Sequence, residues 1–71
     1  MGFGEQLRAW RWRRHLTQQV LGERLGVSDM SVRRWELGHG LPPPAQQSAL
    51  VEALGLSPGE FFAALEGERQ G

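Results

Sequence analysis

Residues 18–36 read QQVLGERLGVSDMSVRRWE. Two short amphipathic helices fit this stretch, joined by a turn too tight for anything longer. Leu21 and Leu25 share one face of the first helix, and Gly22 leaves room for a neighbouring helix to approach closely. Gly26 follows at once, where a helix C-terminus favours a residue able to adopt positive φ. Ser28 offers its hydroxyl as an N-cap, and Val32 and Trp35 set the apolar stripe of the second helix. Arg33 and Arg34 lie off that stripe, free to face a partner.

The same local design recurs outward from this stretch. Leu16-Thr17 with Leu21, Val27-Ser28 with Val32, and Leu56-Ser57 with Phe61 each set a capping hydroxyl between the halves of a hydrophobic staple. Pro58 at the first helical position and Glu60 at N3 complete a capping box in the third of these. Helices are therefore predicted at about 17–25, 28–36 and 57–65. Upstream, Phe3, Leu7, Trp10 and Arg14 fall on one stripe, which predicts a first helix over about 3–15. Trp12 points away from that stripe; it either packs on the last helix from its other side, the favoured expectation, or is exposed.

Gly38-His39-Gly40-Leu41-Pro42-Pro43-Pro44 reads as a loop, because glycines end the preceding helix and prolines do not fit a helix interior. A further helix then runs from Pro44 or Ala45 to Leu54, burying Leu50, Leu54 and Val51. After Leu65 the chain is polar through Gly71 and is expected to fray. No internal repeat is present, and the proline run is the only low-complexity segment.

Seventy-one residues without cysteine make one small domain that neither disulfides nor a thiolate-rich metal site can staple. No apolar run approaches membrane-spanning length and no signal-peptide pattern opens the chain, so a cytoplasmic protein is expected. The formal net charge is zero, but it is unevenly spread. Residues 1–40 hold seven arginines against four carboxylates, a balance of +3; residues 41–71 hold one against four, a balance of −3. All eight basic residues are arginine, which suits bidentate contact with phosphate and guanine but also follows from a GC-rich gene.

Helix, tight turn, helix with a polar outer face is the helix-turn-helix arrangement, whose second helix enters the DNA major groove. Here the sequence resembles the Cro/cI-type (XRE) helix-turn-helix family. Gln18 opens the helix, Gly22 takes the small-residue position, Gly26-Val27 the turn, and Val32 and Trp35 the later apolar positions. Leu7, Arg8 and Arg11 precede Leu16-Thr17-Gln18, while Glu36-Leu37-Gly38, Pro42 and Leu54-Gly55-Leu56-Ser57 continue the series without a gap. The resemblance covers roughly residues 3–65. It implies an all-α fold, a compact five-helix lambda-repressor-like DNA-binding domain with the helix-turn-helix formed by helices 2 and 3. It also implies an ion pair between Arg11 and Glu36, joining the first helix to the end of the recognition helix with bidentate geometry. Gln47 and Ser48 stand where the family usually has apolar residues, so the fourth helix is expected to pack loosely.

By position in the motif, Ser28, Asp29, Met30, Arg33 and Arg34 are the candidates to face base edges. Either arginine can pair with guanine O6 and N7, and Met30 can touch a thymine methyl. Asp29 either accepts from cytosine N4 or complements the positive end of its helix; repulsion from phosphates favours the second. Thr17, Gln18, Arg14 and His39 are the candidate phosphate contacts, Gln18 being the principal anchor at the start of its helix. Arg8 and Arg13 line outer faces as solvated charges or further phosphate contacts.

A single domain reads few bases, so a homodimer on two half-sites is expected, using the loop between helices four and five together with the last helix. One helix does not bury both Phe61 and Phe62 in the same core. Either the exposed one marks a dimer or partner surface, or Phe62 packs against Trp12. An enzyme is not expected, since there is no cysteine or lysine, the two histidines lie in different elements, and no glycine-rich phosphate loop follows a strand. No cofactor and no metal are anticipated. The alternative is an antitoxin-like or anti-repressor module that uses the same fold mainly to bind a protein, in keeping with the acidic C-terminal half.

Overall fold

The computed structural model describes residues 2–70. Five helices follow one another as α1 (Phe3–Arg13), α2 (Gln18–Leu25), α3 (Asp29–Glu36), α4 (Pro44–Leu54) and α5 (Pro58–Gln70), with no strand among the described residues. Phe3, Leu7, Trp10, Leu16, Leu21, Leu25, Val32, Trp35, Leu50, Leu54 and Phe61 form one apolar core to which every helix contributes. Phe3, Trp10 and Phe61 make its aromatic centre. Phe3 meets Phe61 edge-on at 5.6 Å between ring centroids, and Trp10 stacks on Phe61 at 6.2 Å.

α1 ends two residues short of the predicted boundary. Arg14 leaves helical geometry and His15 takes a positive φ of 58°, which lets the Leu16 amide turn back onto the Arg11 carbonyl. α2 begins as expected, with the Thr17 hydroxyl accepting from the Val20 amide at 3.0 Å. α3 does not. Ser28 occupies its N-cap position, but its hydroxyl makes no capping hydrogen bond. At α5 the Ser57 hydroxyl accepts from the Glu60 amide at 3.2 Å, while the Glu60 carboxylate turns to Arg13 at 3.9 Å. The capping box is therefore half formed, with the hydroxyl capping the helix and the carboxylate facing α1.

α5 also outruns its predicted end at Leu65. The polar residues after it continue the helix through Gln70, since one mid-helix glycine at 67 costs only about 1 kcal/mol; Gly71, the last of the predicted tail, and Met1 lie outside the described residues. In α4, Leu50 and Leu54 are buried and Val51 is half-buried. The Gln47 amide donates to the Pro42 carbonyl at 3.0 Å, tying a polar residue to the preceding loop, while Ser48 stays exposed.

Two backbone approaches set the position of α3. At Gly22 the close neighbour is the α2–α3 turn and not another helix: an added Cβ would lie 2.8 Å from the Val27 carbonyl oxygen. At Gly4, a Cβ would meet the Trp35 carbonyl oxygen at 2.7 Å, so the start of α1 lies directly against the end of α3. Neither backbone has a flexible side-chain end that could give way. Gly4 shares a helical face with Leu7 and Arg11, a small residue on the buried stripe, and that spacing was the available sequence signal.

Candidate nucleic-acid interface

α3 turns Val32 and Trp35 inward and leaves Asp29, Met30, Arg33 and Arg34 exposed, Met30 by 57%. This is what the apolar spacing requires, since residues three apart share a face and the intervening positions do not. Asp29 sits in the first turn, where a carboxylate complements the helix dipole; Arg33 and Arg34 sit in the last, where cations do so. Ser28 stands exposed beside Asp29 at the N-terminal end, with its hydroxyl uncommitted to the cap.

The angle of α3 is fixed by a buried polar network. Arg11 Nε donates to Glu36 Oε2 at 2.6 Å and Arg11 Nη2 donates to Glu36 Oε1 at 3.1 Å. The third guanidinium nitrogen, Nη1, donates to the Leu16 carbonyl at 2.8 Å. Only 10% and 5% of the two side chains remain exposed. The pair thus joins α1, the α1–α2 junction and the end of α3, and its fork geometry resists rotation of one helix against another. Gln18 adds α2 to the network, its amide donating to Glu36 Oε1 at 3.2 Å. The Gln18 side chain expected at phosphate is therefore engaged within the fold.

Two grooves flank α3. One is lined by Arg8, Arg11, Gln18, Arg33, Glu36 and Leu37, so it brings Gln18 beside Arg33. The other is lined by Ser31, Arg34, Trp35, His39 and Gln46 among others, so it brings His39 beside Arg34. Thr17, at the N-cap of α2, is exposed. The structure thereby gathers most of the sequence-derived candidates around one helix.

Arg14 is not among them. Its Nε donates to the Leu54 carbonyl at 3.1 Å, and its guanidinium lies against Gly55, the left-handed C-cap of α4. The last carbonyls of a helix lack intrahelical donors, and a nearby cation satisfies one of them here. Phe61 is likewise withdrawn from the surface, 1% exposed at the aromatic centre, and only Phe62 faces outward at 59%. Trp12 does not pack on α5. It is 59% exposed, with the Arg8 guanidinium carbon 4.9 Å from its ring centroid, so neither it nor Phe62 is covered by the other.

Charge pairing sorts the arginines. Arg11 and Arg13 face carboxylates inside the fold, and Arg14, without one among the described residues, donates to a backbone carbonyl. Arg8, Arg24, Arg33 and Arg34 have no carboxylate within ion-pair distance among the described residues. A chain of zero net charge therefore still presents unpaired guanidinium groups around α3.

A family model described as a helix-turn-helix domain matches residues 3–64. The chain is 49% identical over 53 residues to the HTH-type transcriptional repressor RghR of Bacillus subtilis, a match spanning 73% of this chain and 39% of RghR. Among solved structures, the P22 c2 repressor protein in complex with a synthetic operator superposes with a TM-score of 0.81 at 33% identity, over 86% of this chain and 92% of that one. The clp gene regulator ClgR from Corynebacterium glutamicum superposes with a TM-score of 0.80 at 25% identity, over 92% of this chain and 69% of that one.

Proposed function

The chain belongs to the helix-turn-helix domain family, and from that membership we propose that it is a sequence-specific DNA-binding regulator of repressor type. α3 lies in the major groove of duplex DNA with Ser28, Met30, Arg33 and Arg34 toward base edges. Asp29 serves mainly the helix end. Thr17, the free amides at the start of α2, and His39 contact phosphates on either side. The observation that carries this reading is the face of α3: unpaired arginines on a short helix whose angle is locked by Arg11, Gln18 and Glu36. The likeness to an operator-bound repressor and to a transcriptional repressor supports it.

The working species on DNA is a homodimer. Phe62 stands beside an apolar groove lined by Pro44, Val51 and Pro58, a surface suited to a second copy across a two-fold axis. A small dimer of this kind acts in the cytoplasm by occupying an operator.

Selection from a random duplex library at low salt tests the reading. A roughly palindromic sequence should be enriched, and Arg33→Ala/Arg34→Ala should lose discrimination by about 1–3 kcal/mol for each base an arginine reads. Absence of enrichment, with no binding even at low salt, would move the function to a protein partner.

A further inference from the structure

Arg8 and Trp12 lie one turn apart on the outer face of α1, where neither helps the core. A tryptophan 59% exposed is unusual for so large an apolar side chain, and here it carries a guanidinium 4.9 Å above its ring. Arg8 has no carboxylate partner among the described residues, although Glu5 stands three positions earlier on the same helix. The same arginine lines the groove that holds Gln18, Arg33 and Leu37 beside the recognition helix. A guanidinium held over an indole keeps the N–H donors on its far side available, in a side chain whose rotamers the indole restricts. Nothing else in that groove competes for those donors: Glu36, its one carboxylate, already accepts from Arg11 and Gln18.

We propose that Arg8 is a phosphodiester contact held in place by Trp12, extending the DNA-binding surface from α3 across the groove onto α1. The ligand is the DNA backbone, not a base, because a solvated guanidinium at the outer wall of a groove meets the sugar-phosphate strand flanking the one that α3 enters. Arg8 donates to a phosphate oxygen, and Trp12 is a positioning residue that touches no DNA. The inference rests on the DNA-binding reading above.

The test is titration of the selected duplex and a scrambled one over 50–200 mM salt. Arg8→Ala should reduce the magnitude of the log affinity against log salt slope by about 1.8, one phosphate's share from each protomer of the dimer. The ratio of wild-type to variant affinity then shrinks about twelvefold across that range, equally on both duplexes. Arg8→Lys should restore the slope, because the charge returns. Trp12→Ala should weaken binding with the slope kept, and adding it to Arg8→Ala should cost nothing more, since the tryptophan acts only through the arginine. An Arg8→Ala slope equal to wild type, alongside a lowered slope for Arg33→Ala/Arg34→Ala, overturns this contact and leaves the DNA reading standing. Wild-type protein that binds neither duplex at 50 mM salt overturns both.

Discussion

Where α1 meets α3, backbone touches backbone at Gly4, and a buried guanidinium, a carboxylate and an amide join three helices around Glu36. Around the α4–α5 turn the links are thinner. Arg14 reaches one carbonyl, and Arg13 and Glu60 face each other at 3.9 Å with 66% and 42% of their side chains exposed. An exposed pair of that kind contributes at most about 1 kcal/mol, whereas breaking a buried one costs several times as much. Phe62 lies open beside that second region. The contrast separates two tasks. A reading helix has to keep its angle to within a few degrees, so its supports are buried and polar. The surface around Phe62, proposed above for a second copy, is left apolar and unlinked.

The largest effect should come from Glu36→Ala. It strands Arg11, 8% exposed, without its carboxylate, and the expected loss is about 3–5 kcal/mol. For a domain of this size that lowers Tm by more than roughly 12 °C in a circular-dichroism melt. An unchanged Tm would mean that the network around Glu36 does not hold the fold.

Glycine-to-alanine changes at the two regions should differ in sign. Gly4→Ala drives a methyl into the Trp35 and Glu36 carbonyls, and backbone overpacking of this kind costs about 1–3 kcal/mol. Gly59→Ala meets nothing within 4 Å in the first turn of α5, so it should stabilise by up to about 1 kcal/mol through helix propensity. Urea midpoints of the two variants measure this directly. Equal shifts would show that the two regions are packed alike.

The smallest stability effect should follow Phe62→Ser, within about 0.5 kcal/mol because the ring is largely in water. Its consequence lies elsewhere: the concentration-dependent mass expected of wild type in sedimentation, free or on DNA, should be lost. A variant that self-associates as the wild type does would remove Phe62 from any dimer surface.

Much of the core was legible in the sequence. The stripes through Phe3, Leu7 and Trp10, through Leu21 and Leu25, and through Val32 and Trp35 are periodic over a few residues, and burial follows period. Helix starts at Thr17 and Ser57 were equally local. The site was only partly legible. Its position on α3 follows from that helix's own stripe, but the engagement of Gln18 with Glu36 and of Arg14 with the Leu54 carbonyl spans 18 and 40 residues. No periodicity carries that information. Trp12 shows the same limit, for a residue off the buried stripe can be covered or bare depending on where a distant helix lies.

The sequence by itself determined five helices, the apolar stripe each one buries, and the polar face of α3, because these depend on neighbours within one or two turns. Only the tertiary structure decided which arginines stay unpaired, which of Phe61 and Phe62 faces water, and why residue 4 is glycine. Each of those is a distance between segments far apart in the chain, set when the whole core packs at once.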